Sequence, residues 1–389
     1  MGRGMPYRDL LGLPGVGAQA VCGFLSQLTQ QVAPVGMVLV VQDATGSLAL
    51  AGTCAAAFSV GAGMGRPVQG RLMDRRGPRV VLAATAFLHV VALIVLVAAA
   101  AAGWPVWTSV VLAWVAGAGL PPISVSMRVE WGRRVPDGAR TAVYSLVYLV
   151  QELAMLIGPL LFGLVIAVAS SSLALGVVAV AAGVGTLAFS RALRADGAAS
   201  VREGGRVFED RRMLVLLAVV LLLGGTMGAL QVGVPALSAA RGVPAATGVL
   251  VAALSLGGIA GAAGYGARTW ASSPATRLVG AMLALGVVLA PLAVVGALPV
   301  FWVVLFAGGM VLNPALTTSS LLVDRFAPGA QGEAFGWLST ALGMGAAAGS
   351  GVAGVAGQWF GAPAPFLVGA ASTLLGALLA VPLLGRRHG

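Results

Sequence analysis

Twelve stretches of this chain are apolar over the roughly 20 residues that a helix needs to cross a lipid bilayer. They fall at 13–41, 47–68, 80–102, 105–127, 142–166, 172–192, 213–237, 245–267, 277–296, 299–323, 333–357 and 363–384. A segment in lipid must satisfy its backbone internally, so the pattern predicts an all-α membrane protein. Only 9% of residues are charged and 59% are hydrophobic, against about 25% and about 45–50% in a soluble domain. Such a chain could not cover a water-facing surface. Short breaks such as Ala102-Gly103-Trp104-Pro105 and Ser170-Ser171-Ser172 separate the spans. The one long hydrophilic stretch, 193–212, links an N-terminal half (1–192) to a C-terminal half (213–389), each of six spans.

The 23 basic residues are all arginine. With the N-terminus in the cytoplasm, alternation through twelve spans puts all of them except Arg241 on the cytoplasmic side. This positive-inside pattern predicts a multi-pass protein of the bacterial plasma membrane with both termini inside. The net charge of +11 lies between membrane spans rather than on a soluble domain, so it does not indicate nucleic-acid binding. Arg3 and Arg8 precede an apolar run without a cleavage site, which reads as a first span rather than a removed leader. Cys22 and Cys54 both lie in apolar spans and suggest neither a disulfide framework nor a metal site, and no cofactor is expected.

The halves resemble each other at an offset of 191 residues. Arg134, Gly138, Ala139, Tyr144, Gly158 and Gly163 fall on Arg325, Gly329, Ala330, Phe335, Gly349 and Gly354. The matching loops lie on the same side and run in the same direction, so the repeat is parallel.

Between spans 2 and 3 the chain reads Gly70-Arg71-Leu72-Met73-Asp74-Arg75-Arg76-Gly77-Pro78-Arg79. Topology accounts for the arginines but not for Asp74 or the spaced glycines. This loop resembles the G-x-x-x-D-R-x-G-R-R signature of the major facilitator superfamily, with Pro78 in place of one basic residue. Helix count, central linker and parallel repeat fit the same family over the whole chain. The resemblance implies two six-helix halves related by a pseudo-two-fold and transport by alternating access. It also implies a cytoplasmic gate built on Gly70, Asp74, Arg75, Gly77 and Arg79. Asp74 would sit at the N-terminus of helix 11, near Gly332 to Phe335, where the helix dipole favours an anion. Arg75 or Arg79 would pair with Glu130 or Asp137.

In span 5, Gly158-Pro159-Leu160-Leu161-Phe162-Gly163 resembles the core of the superfamily's antiporter element, with Phe162 replacing a glycine and no glycine ladder upstream. This places the chain nearest the drug-efflux-like branch. The arginine usual in span 4 of proton-driven drug antiporters is missing. Ala113 stands where it would be, four residues before Gly117-Ala118-Gly119.

Glu152 is the one acidic residue at mid-depth, next to Gln151 and one turn from Tyr148. A charge there is read first as functional, and Glu152 is the candidate for proton coupling. His89, alone in span 3, reads as a packed side chain. Gln19, Ser26, Gln27, Gln30 and Pro34 share most of one face of span 1. The family fold puts helices 1, 4, 7 and 10 around a central cavity. Gln19, Gln27, Gln30, Trp114, Tyr148, Gln231 and Asn313 are therefore the candidate lining. No arginine or lysine falls in this sketch, so the expected substrate is a small amphipathic or hydrophobic molecule, neutral or cationic. The expected function is its export by a monomer embedded in the lipid bilayer and driven by the proton gradient, with proton-coupled uptake of a small neutral solute as the alternative. An enzyme would need clustered acids or histidines at a membrane face, and a sensor would need a soluble output domain; the sequence offers neither.

Overall fold

The computed structural model describes residues 6–193, 207–244, 246–294 and 297–384. The middle of the hydrophilic link and both chain ends, with the arginines they carry, lie outside the described residues.

Among the described residues, twelve helices are long and apolar enough to cross a membrane. A short N-terminal helix, Tyr7–Gly12, precedes them. In the first half the spans are α1 (Val16–Thr45), α2 (Leu48–Arg76), α3 (Pro78–Ala101), α4 (Val106–Gly132), α5 (Arg140–Val168) and α6 (Ser171–Ala192). In the second they are α7 (Arg211–Ala240), α8 (Ala246–Gly266), α9 (Pro274–Leu289), α10 (Leu298–Phe326), α11 (Gln331–Phe360) and α12 (Ala364–Ala380).

The helix ends follow from local chemistry. Gly46 takes the left-handed conformation that closes α1, and the Ser47 hydroxyl caps α2 by accepting from Leu50 N. Gly77, at φ 82°, separates α2 from Pro78 at the first position of α3. Ser170, Asp210 and Ser273 cap α6, α7 and α9 in the same way as Ser47. Pro121 and Pro122 split α4 into Val106–Ala118 and Ile123–Gly132.

Two expected boundaries need correction. Span 2 was expected to end at 68 and span 4 at 127. Nothing breaks the first helix before Gly77, so residues 70–76 are helical rather than a loop. Span 4 runs on to Gly132, which brings Arg128 and Glu130 into a buried helix. An arginine ends an apolar run without ending a helix.

The two halves are built alike. The pairings α1 with α5 and α6, α2 with α4, and α3 with α4 and α6 recur as α7 with α11 and α12, α8 with α10, and α9 with α10 and α12. The halves meet chiefly through α2 against α11 and α5 against α8. These two contacts exchange under a six-helix shift, as a pseudo-two-fold requires. Large apolar side chains such as Phe87 on α3 and Leu164 on α5 remain exposed, 72% and 63%, which suits contact with lipid tails.

At the α2–α11 crossing the backbones nearly touch. A Cβ on Gly70 would overlap the carbonyl of Gly332, and one on Gly336 would overlap the backbone at Arg66 and Pro67. Small residues permit this approach, which drives helix association where no hydrophobic effect operates. Gly70→Ala should therefore cost about 1–3 kcal/mol by overpacking. Gly163→Ala, at a position with open space around it, should cost nothing measurable. Thermal unfolding of the two variants in detergent checks the contrast.

Candidate functional site

The contacts that join the halves begin on the face carrying the arginine-rich connections. The Asp74 carboxylate, at the end of α2, accepts from Gly332 N at 3.0 Å and Glu333 N at 2.9 Å. Both donors are free backbone groups in the first turn of α11, where the helix dipole adds attraction. On the same face a second acid joins the halves between α5 and α10. There the Asp324 carboxylate accepts from Tyr144 Oη at 2.5 Å and pairs with Arg140 at 3.2 Å. Tyr144 also meets Phe335 edge to face at 5.8 Å, so two positions related by the sequence repeat touch at the pseudo-axis. Tyr7, before α1, donates to the Ala262 carbonyl on α8 at 2.8 Å. Burial pushes this phenol up to about 12, so it stays a donor at physiological pH.

Deeper, Arg66 donates to the Ser339 carbonyl at 3.2 Å, Thr340 to the Gly63 carbonyl at 2.8 Å, and Tyr148 and Ser320 share a bond of 3.1 Å. The deepest link is Asn313 Nδ2 to Glu152 Oε1 at 3.1 Å. Gly258 on α8 leaves room for this pair, since a Cβ there would fall within 2.7–2.9 Å of both side chains. Among the described residues, the side-chain bonds between the halves lie in the arginine-rich part of the interface, from Asp74 to Glu152.

Bordering this layer, two cavities that share lining residues open between the halves. The smaller, about 220 Å³, is lined by Gln30, Arg66, Arg128, Tyr148 and Gln151 among others. The larger, about 830 Å³, lies between α1, α2, α7 and α11 and includes Gln30, Phe58, Gln231 and Trp337. The cavity expected to lack a cation is therefore lined by two, the buried Arg128 and the half-buried Arg66. Arg128 falls just beyond the expected end of span 4, and Arg66 lies inside the expected span 2 but beside its end, grouped with the cytoplasmic arginines. The turn-forming residues that end the helices come later, at Gly77 and after Gly132, and that was the available signal.

Several expected roles change. Gln30, Tyr148 and Gln231 line the cavities, but Gln19, Gln27, Trp114 and Asn313 line neither. Gln19 is fully buried inside the first half, accepting from Trp131 Nε1 at 2.7 Å and donating to the Ala192 carbonyl at 2.8 Å. Gln27 bonds back to its own helix at the Gly23 carbonyl. Trp114 is 40% exposed. Asn313 holds Glu152 instead of facing the cavity. Glu130 pairs with Arg134 one turn on, not with Arg75 or Arg79. Arg75 is exposed, Arg79 donates to the Leu193 carbonyl, and Asp137 pairs with Arg140. The Glu130–Arg134 and Arg79–Leu193 contacts thus stay within the first half, whereas Asp74 reaches across to the second. In the α5 element, Gly158 packs against Val32 and Leu28 of α1, Pro159 is exposed, and Gly163 faces open space. His89 hydrogen-bonds the Ala116 carbonyl at 2.7 Å, as a packed histidine does.

Asp74→Asn removes the charge and turns a donor toward one of the two N–H groups. Hydrogen bonds to charged groups are worth about 1.5–3 kcal/mol. A cysteine at Ser339, in a background without Cys22 and Cys54, should then react at least about tenfold faster with a maleimide supplied on the arginine-rich face. An unchanged rate would mean that Asp74 does not hold this face shut.

The architecture is shared with solved transporters. A bacterial homologue of the iron transporter ferroportin in the outward-facing state aligns at TM-score 0.77 and 15% identity, over 95% of this chain and 99% of that one. The human organic anion transporter MFSD10 (TETRAN) aligns at 0.73 and 18%, over 97% and 100%. The E. coli fucose:proton symporter FucP aligns at 0.70 and 13%, over 96% and 98%. At these identities the likeness concerns the fold. A search of curated proteins finds no match. The family profile described as Major Facilitator Superfamily matches residues 20–328, and the chain belongs to that superfamily of membrane transporters.

Proposed function

We propose that this protein is a proton-coupled exporter of a small amphipathic molecule, working by alternating access in the bacterial plasma membrane with the arginine-rich face in the cytoplasm. The observation that carries this reading is the Glu152–Asn313 bond. It joins the two halves at the inner limit of their contact, directly above a row of bonds that must break for the cytoplasmic side to open. A proton arriving at or leaving Glu152 changes the strength of its bond to Asn313, since a charged acceptor binds a donor more tightly than a neutral one. Proton exchange is thereby tied to the contact between the halves. Glu152 lines neither cavity, so proton and substrate act at separate places on one interface.

Two features favour export and a place near the drug-efflux branch. One is the Gly158-Pro159 element with its close packing on α1. The other is the wide apolar cavity, which suits a substrate gathered from or near the membrane. Asp74, with Gly70 and Gly77 around it, serves as the cytoplasmic latch. Exposed ion pairs such as Arg71–Glu333 contribute about 0–1 kcal/mol each, so the latch biases the conformational equilibrium without freezing it. The protein acts as a monomer, since one chain supplies both halves of the cavity.

The test is flux in everted vesicles across a panel of amphipathic compounds. Substrate should accumulate inside under a proton gradient and leak out when an uncoupler is added. Glu152→Gln should abolish uphill accumulation while leaving downhill exchange. Uphill transport by this variant would remove Glu152 as the coupling site. Gradient-driven loss of substrate from everted vesicles would reverse the direction and make the protein an uptake symporter.

A further inference from the structure

Among the described residues, the acidic groups of the interface are engaged. Asp74 is held by the start of α11, Asp324 by Tyr144 and Arg140, Glu130 by Arg134, and Glu152 by Asn313. Arg66 and Arg128 both line the smaller cavity, and among the described residues neither has a carboxylate partner. Arg128 is 3% exposed, yet its neighbours are neutral. It donates to Gln151 Oε1 at 3.3 Å, and its guanidinium lies 4.6 Å from the Tyr148 ring and 5.5 Å from that of Phe335. Its Nε has no partner. Arg66 bonds only the Ser339 carbonyl. Among the described residues neither arginine has a carboxylate within 4.0 Å, although four other ion pairs meet that limit. Burying a cation without a counter-charge is costly, and an arginine at membrane depth facing a cavity marks a substrate path.

The larger cavity supplies the complement. It shares Gln30, Arg66 and Leu120 with the smaller one and continues along apolar side chains such as Phe58 and Met344. The Trp337 indole N–H on its wall is buried with no acceptor. Unpaired donors at one end and apolar wall at the other describe an amphipathic ligand with an acidic head.

We propose that the substrate is an amphipathic organic monocarboxylate, its head held by Arg66 and Arg128 and its apolar body lying along the α2–α11 wall. This rests on the transporter reading above and narrows its substrate class. It replaces the neutral or cationic substrate that the sequence suggested. Arg128 suits the task because its planar fork can donate two N–H bonds to a carboxylate at once, while the Tyr148 and Phe335 rings hold the guanidinium in place.

The experiment is calorimetric titration of the purified protein in nanodiscs with three probes of one chain length, octanoate, octanamide and octyltrimethylammonium, and with 4-butylbenzoate as a bulkier acid. Octanoate or 4-butylbenzoate should bind the wild type about tenfold or more tightly than the neutral and cationic probes. Arg128→Gln and Arg66→Gln should each weaken the acid by a similar factor and leave octanamide unchanged, and Arg128→Lys should restore part of the loss. Acid binding no tighter than that of octanamide would overturn the proposal. So would tighter binding of octyltrimethylammonium, or acid affinity equal in wild type and both glutamine variants. Selectivity in the wild type decides the question even if Arg128→Gln fails to fold. These outcomes are distinct from failure of the transporter reading, which the Glu152→Gln flux assay decides.

Discussion

One carboxylate on α2 meets two unsatisfied backbone N–H groups at the start of α11, and the closed face of the protein is organised around that contact. It requires two backbones to approach nearly to contact, hence Gly70, Gly332 and Gly336 at the crossing. It also requires α2 to stay helical through residues 70–76, so that Asp74 reaches across instead of into solvent. Gly77 then turns the chain at once into α3. Helix geometry, glycine packing and an anion at a helix N-terminus are thus one device. The chain repeats its principle, if not its residues, where Asp324 of α10 meets Tyr144 and Arg140 of α5.

This arrangement explains how a tightly packed membrane protein can still move. Within each half, buried bonds such as Ser26–Thr186 and Thr226 to the Gly369 carbonyl tie helix to helix. Between the halves, among the described residues, the side-chain bonds are few and confined to one side. Each half can then rotate as a body, breaking the interface row and leaving its own packing intact. Glu152 and Asn313 sit at the deepest point of that row, where a change in charge has the most leverage on whether it closes. The proposed binding groups are Arg66, itself part of that row through the Ser339 carbonyl, and Arg128, so a ligand that bridges them also bridges α2 and α4 to the wall formed by α11.

The fold was legible in the sequence because membrane burial is a strong constraint. Span count and the pairing of the two halves follow from hydropathy and spacing, and the Tyr144–Phe335 match at an offset of 191 is a ring contact in three dimensions. Asp74 was legible because an acid among arginines needs a reason. The cavity was less so. A polar stripe on α1 does not reveal which of its amides faces a neighbouring helix. Gln19 is used up by Trp131 and Ala192, whereas Gln30, eleven residues on, reaches open space. Arg66 and Arg128 sit beside the points where hydropathy ends their spans, so charge alone groups them with the cytoplasmic arginines rather than with the cavity. An arginine near a helix end can lie along buried aromatic rings, as Arg128 does, and only the fold shows which arginines have carboxylates beside them.

The central claim is that two rigid halves close on one face at a time around the cavity. Electron spin resonance distances between labels in nanodiscs test it directly, with one pair on the arginine-rich face at Arg133 and Arg325 and another on the opposite face at Ala102 and Ala297. All four positions are exposed. Each pair should show two populations with opposite trends, and Asp74→Asn should lengthen the first distance while shortening the second. A single distance for each pair, unchanged by Asp74→Asn, or both distances growing together, would contradict the account.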